Sequence, residues 1–377
     1  MYGGHRRTLL TFAAATTAAA TIGLTPHTAA AAPKAWVEVP SEVASGQDAY
    51  YNDVTVTPGG TVWAVGYNVN FLPGAVEFRN NIERYNGSSF QRVSAPDVEG
   101  PPAQNFLYGV AAISDNNVLA VGTARDHATN TNKTRILKWN GTSWSSMLSP
   151  NPGTVRNELN DIAVTGTTAF AVGVSTSGFY NDPLVLHLVG GSWQTMAVSR
   201  PSNCDGHADL VSVYAASPTA VWAAGRCESG PNKSFVLKYD GVVWKTIVRP
   251  VEYPTVQLNG FASNADGRIF AVGSDGSGPA VLRVYPRPAK LIPSPSSQSY
   301  WAAGTTGHNG VVMAGSSTVP GTSFAGPAVG VRGPNGWSPQ NIGPTFGYFT
   351  AVTFAGDGSV FAVGSKSGKP LVMHRAA

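Results

Sequence analysis

A short apolar phrase ending in glycine returns along the whole chain, and no other feature limits the possible folds as much. Val62-Trp63-Ala64-Val65-Gly66 is followed by Leu119-Ala120-Val121-Gly122, Phe170-Ala171-Val172-Gly173, Val221-Trp222-Ala223-Ala224-Gly225, Phe270-Ala271-Val272-Gly273, Val312-Met313-Ala314-Gly315 and Phe361-Ala362-Val363-Gly364. Successive glycines lie 56, 51, 52, 48, 42 and 49 residues apart. Such a period means stacked copies of one supersecondary unit, each too small to bury its apolar face alone. Helical units are excluded by 43 Gly and 27 Pro in 377 residues, and a disordered chain by 10% aromatic against only 12% charged residues.

Twelve residues before each glycine, or eleven in the third copy, stands Val54, Val110, Ile162, Val213, Phe261, Ala303 or Val352. These residues mark an inner strand that ends in tight-turn chemistry, as in Pro58-Gly59-Gly60, Asp266-Gly267 and Asp357-Gly358. A third strand follows, as in Arg135-Ile136-Leu137-Lys138-Trp139 and Phe235-Val236-Leu237-Lys238-Tyr239. Asn140-Gly141 or Asp240-Gly241 then turns the chain into a fourth strand, built in other copies around Trp193 or Trp337. Each unit therefore reads as a four-stranded antiparallel meander, and stacking meanders face to face makes a β-propeller. The last copy ends after Leu371-Val372-Met373-His374 without a fourth strand, while Ala35-Trp36-Val37-Glu38-Val39-Pro40 is a fourth strand with no unit before it. The expected fold is all-β: one seven-bladed β-propeller domain over residues 32–377, with four-stranded antiparallel blades and a ring closed by the N-terminal strand pairing into the last blade. An open solenoid would leave two bare sheet edges.

Val110-Ala111-Ala112, Trp63-Ala64-Val65-Gly66 and Leu137-Lys138-Trp139-Asn140-Gly141-Thr142-Ser143-Trp144-Ser145 resemble the repeats of secreted actinobacterial seven-bladed β-propeller proteins, kelch-like or galactose-oxidase-like in style. The resemblance spans residues 35–377 and implies the fold alone, because these residues are the packing residues. In fold, export signal and repeat style the chain is also similar to the propeller lectin subunits of umbrella toxin particles. That likeness implies glycan recognition and protein partners in a secreted complex.

The N-terminus reads His5-Arg6-Arg7-Thr8-Leu9-Leu10, then a weakly apolar stretch to Leu24, then Ala29-Ala30-Ala31-Ala32-Pro33. This pattern predicts a signal peptide over residues 1–31 with a twin-arginine core and cleavage after Ala31, by the Tat or the Sec route. Loss of Arg6 and Arg7 would bring the formal net charge of +4 down to about +2. Lys and Arg are scattered singly, which argues against a nucleic-acid partner, and no later segment is apolar enough to span a membrane. The expected location is extracellular. Cys204 precedes the inner strand of the fourth repeat and Cys227 lies two residues after Gly225, so the two are expected to pair.

In a meander the connections from strand two to three and from four to the next strand one emerge on one face. Here they include the long segments 67–80, 97–107, 123–134, 174–183, 199–209 and 316–327, read as irregular loops sharing one rim. The rim carries Arg125, Asp126, His127, Phe179, Tyr180, Asn181, Asp182, Asp205 and His207. Fourteen residues before the repeat glycine, Tyr108 and Trp301 stand where other repeats have Asn52 or Asn259, and an aromatic there could stack on a sugar ring. These residues predict a secreted, lectin-like binding module for cell-surface or extracellular glycans. The alternatives are a secreted carbohydrate-active enzyme with carboxylates such as Asp53 and Asp161 at the channel mouth, and a protein–protein adaptor in a secreted toxin complex. No catalytic residue, metal or cofactor is assigned. Nucleophile elbow, phosphate loop and zinc-helix motifs are missing, and His207 between Asp205 and Asp209 reads as a solvated loop. His187 and His374 are expected on solvent-facing strand positions.

Overall fold

The computed structural model describes residues 35–43, 47–202, 204–227, 233–249, 252–253, 255–264, 266–275, 278–292, 299–307, 310–318, 325–333, 336–343 and 346–377; the segment read as a signal peptide lies outside them. No helix occurs among the described residues. The first repeat folds as Asp48–Val56, Val62–Leu72, Ala75–Tyr85 and Phe90–Arg92, each strand antiparallel to the next. The fourth, fifth and sixth repeats do the same from Ala208–Ser217, Gln257–Ser263 and Ser299–Gly307 onward. Repeats two and three, beginning at Asn105–Ser114 and Arg156–Thr165, are equivalent meanders joined by a single parallel pair, Arg156 with Asn132. Tyr348–Phe354, Val360–Lys366 and Lys369–Arg375 supply three strands of the last sheet, and Val37–Glu38 supplies its fourth, with Val37 opposite His374.

The seven-fold glycine has a physical cause. Each first strand carries a β-bulge opposite it, as between Tyr51 and Asp53, and the bulge turns a backbone carbonyl toward the neighbouring strand. A Cβ at Gly66 would lie 1.9 Å from the Tyr50 carbonyl oxygen, and one at Gly173 1.9 Å from that of Glu158. Only glycine lets the two backbones approach so closely.

Apolar side chains on both faces of each sheet interlock with the next sheet. Trp63, Val65 and Ile82 of the first repeat pack on Leu107, Leu137, Trp139 and Trp144 of the second, with the Trp63 ring 5.0 Å from Trp139. The N-terminal segment joins two sheets: Trp36 packs among Val312, Phe349 and Leu371, while Val39 packs against Tyr51 and Phe90.

Two expectations change. Segments 67–80, 123–134 and 174–183 are regular hairpin arms rather than irregular loops: Val62–Leu72 and Ala75–Tyr85 pair up to a turn at Pro73-Gly74, and Gly178 takes a positive φ at the tip of the third repeat's hairpin. Their polar residues sit on strands extended beyond the core. His187 and His374 are half-buried, stacked on Phe170 at 4.3 Å and Phe361 at 4.4 Å, and burial holds both imidazoles below their ordinary pKa.

Candidate functional site

The first strands of repeats one to five and seven enclose a cavity of about 500 Å³. Its wall is built from the bulges. Asn52 donates its amide to the Leu107 carbonyl at 2.7 Å and Asn160 donates to Leu210 at 2.8 Å, so each bulge residue ties its strand to the following repeat. Asp53 accepts the backbone N–H groups of Val54 and Val110, both at 2.8 Å. Asp161 accepts Ile162 N–H at 2.7 Å, and Ser212 hydroxyl and Val213 N–H at 2.8 Å. Both carboxylates sit deep in the molecule, yet each side chain keeps some exposure to the cavity. Burial pushes Asp161 up to about 6, and burial together with the Asp161 charge pushes Asp53 well above the usual carboxylate range. With their oxygens holding neighbouring repeats together, these acids are structural acceptors first.

Tyr108, which lines the cavity, belongs to a run of aromatic rings that forms a collar beside it. Tyr50 and Tyr67, directly opposite on paired strands, stack at 5.1 Å. Tyr67 meets Phe106 edge-on at 5.2 Å, Phe106 contacts Phe78 at 4.8 Å, and Tyr108 lies parallel to Phe106 at 6.1 Å. All five rings are partly exposed. Tyr348, from the last repeat, extends the collar, and its hydroxyl adds to the burial that raises the pKa of Tyr50 and Tyr67. Burial raises Tyr108 further, with a contribution from Glu158. Of the collar's rings, Tyr108 was a sequence candidate for stacking, whereas Tyr50, Tyr67, Phe78 and Tyr348 were missed. One signal existed: Tyr67 follows its repeat glycine where the other copies have Thr123, Val174, Arg226, Ser274, Ser316 and Ser365.

Trp301 is placed differently from expectation. It pairs with Gly315 just before the bulge, as Tyr51 pairs with Gly66 and Leu107 with Gly122, and the position equivalent to Asn52 belongs to Ala302. The sixth repeat is one residue shorter between bulge and glycine, so a fixed count of fourteen lands one residue early. Its register is that of core residues; its side chain lies outside the described residues.

The remaining candidates form two groups. At the junction of repeats three and four, Asn181 N–H donates to the Gly206 carbonyl at 3.1 Å, the Tyr180 ring lies 6.4 Å from His207, and Arg200 both pairs with Asp182 at 3.0 Å and covers Tyr180 at 5.5 Å. Phe179 stands at the adjacent hairpin tip, 89% exposed. Asp205 lies in the same loop, next to Gly206 and Cys204. In the second repeat, Arg125 is held by Asn130, Asp126 caps its own turn by accepting Ala128 N–H and the Thr129 hydroxyl, and His127 packs against Gly100. No three His, Cys, Asp or Glu side chains gather as a metal site among the described residues.

The expected disulfide is present: Cys204 and Cys227 are bonded with Cα atoms 5.2 Å apart, pinning the loop that carries Asp205 and His207 to the end of the second strand. Such bonds persist in oxidising compartments. Replacing both cysteines with serine should cost about 3 kcal/mol of stability, mostly by freeing the unfolded chain, and a denaturant titration would show it.

No protein-family model and no curated protein matches the chain. Solved structures do. A streptogramin B lyase superposes with a TM-score of 0.59 at 14% identity, covering 92% of this chain and 98% of its own. YCF48 from Cyanidioschyzon merolae gives 0.55 at 13% identity over 91% and 98%, and a protein of unknown function from Dyadobacter fermentans gives 0.50 at 10% over 92% and 99%. Streptogramin B lyase and YCF48 are β-propellers, and at such identities the likeness is one of fold. The chain is a β-propeller, with its candidate site where the first strands converge.

Proposed function

We propose that the protein is an exported, seven-bladed propeller, closed by its N-terminal strand, that binds glycans through the collar and rim. The observation carrying this reading is the run of half-exposed aromatic rings contributed by repeats seven, one and two beside a polar cavity. Sugar rings present flat C–H faces with a polar edge, and they are held by aromatic faces beside amide, hydroxyl and carboxylate groups. The disulfide and the Arg6-Arg7 leader pattern support export. The engagement of Asp53 and Asp161 in backbone hydrogen bonds weighs against the glycosidase alternative, which needs one free acid and one free base or nucleophile.

A glycan array with purified protein tests the reading. Tyr67→Ala and Tyr108→Ala should weaken binding about tenfold or more by removing stacking surface, while Asp240→Ala, on the opposite hairpins, should leave it unchanged. If no glycan binds, the adaptor reading moves ahead. In its favour stand the exposed apolar hairpin tips at Phe71 and Leu72, 64% and 47% exposed, and at Phe179.

A further inference from the structure

We infer that the cavity beside the collar takes a protonated amine, so that the preferred ligand is an amine-bearing sugar rather than a neutral or anionic one. The inference rests on the glycan reading above and adds the chemistry of the group that enters the cavity.

Among the described residues the cavity wall turns several acceptors inward and carries no cationic side chain. Its lining among those residues includes Asp53 and Asp161 and no Lys, Arg or His. Asn52 and Asn160 spend their Nδ2 groups on the Leu107 and Leu210 carbonyls. That orientation leaves both Oδ1 atoms without a protein donor among the described residues. Ionised beside an entering cation, Asp53 would offer about four lone-pair positions, of which Val54 and Val110 N–H occupy two. Three of the wall's hydroxyls point back into protein: Thr350 donates to the Tyr51 or Val363 carbonyl, Ser212 to Asp161, and Tyr214 to Ser263.

A ligand complementary to such a wall supplies positive charge and several N–H donors together, which is the description of an ammonium group. The collar suits the same ligand. The faces of Tyr50, Tyr67 and Tyr108 attract a cation and stack on the ring that carries it. The volume of about 500 Å³ falls in the range that holds a small ligand.

Calorimetric titration of the intact protein with glucosamine tetramer and with its fully N-acetylated counterpart, near neutral pH and at low salt, decides the matter. The free-amine tetramer should bind about tenfold tighter or more, as expected for a charge-assisted hydrogen bond out of bulk water. Asn52→Leu, which removes an acceptor while keeping the Asp53 and Asp161 side chains, should shrink that preference. Should Asn52→Leu fail to fold, the contrast between the two tetramers on the unaltered protein still decides. Equal or tighter binding of the N-acetylated tetramer would overturn the amine assignment while leaving the glycan reading standing. Binding of neither tetramer, nor of any neutral sugar on the array, would overturn both. A melting shift with calcium chloride but not with the free-amine tetramer would make the cavity a metal site and also overturn the inference.

Discussion

Deleting residues 33–42 will lower the melting temperature by about 10 °C or more and make the protein self-associate. The segment does three things at once. Val37–Glu38 covers the outer edge of Lys369–Arg375, and Val39 N–H donates to the Val372 carbonyl at 2.9 Å. Trp36 and Val39, both under 10% exposed, fill cores on either side. Pro40 accepts Phe90 N–H at 2.8 Å, so the same ten residues tie the last repeat to the first. Burial of one Trp and one Val is worth roughly 4 kcal/mol, and several backbone hydrogen bonds add to it. The exposed strand would template pairing with another molecule. Differential scanning calorimetry and size-exclusion chromatography check both parts; unchanged melting with a clean monomer peak would contradict this role.

Stability should fall as pH rises from about 4.5 to about 7, the reverse of the trend set by salt-bridged carboxylates. Glu83 is fully buried, accepting the Tyr51 hydroxyl at 2.6 Å, Asn81 Nδ2 and Glu42 N–H at 3.2 Å, and its burial pushes it from 4.5 to about 7. Asp161 is raised to about 6 and Asp53 is raised as well. Below the unfolded value both states carry the proton and nothing changes. Between the unfolded and folded values the native state keeps a proton that the unfolded chain has lost, so each unit of pH favours unfolding. For Glu83 alone the loss is on the order of 3 kcal/mol across that window. His187 and His374, lowered by burial, act in the opposite sense as pH falls through the ordinary histidine value, but they are only half-buried and their effect is smaller. Asp126, Asp240 and Asp357 are lowered and act below the window. Melting temperatures across the range should decline with pH, and Glu83→Gln should flatten the slope. A melting temperature that climbs from pH 5 to pH 7.5 would refute this ordering of the charges.

Much of the architecture was legible because the forces behind it are local and repeated. The Val-Gly phrase records a strand whose partner bulges toward it, the Asn140-Gly141 and Asp240-Gly241 pairs record tight turns, and the unmatched fourth strand at Trp36 records the sheet it joins. The cysteine pair was readable because repeat register placed both residues at one end of adjacent strands. Counting failed where the register changed. Trp301 looked equivalent to Asn52 only because the sixth repeat had lost a residue, and a one-residue slip exchanges a cavity position for a core one.

By itself the sequence determined the repeating antiparallel meander and the cysteine pair, since each follows from spacing along a few tens of residues. Only the tertiary structure decided which side chains meet across the axis. Tyr348 joins Tyr50 from almost three hundred residues away, Tyr67 meets Phe106 across a sheet boundary, and the acceptors of Asn52, Asp53, Asn160 and Asp161 converge on one cavity. Each of these residues is unremarkable in its own repeat. Their chemistry arises because stacking brings first strands from different repeats around a shared space, and a lateral contact of that kind leaves no periodic trace in the chain.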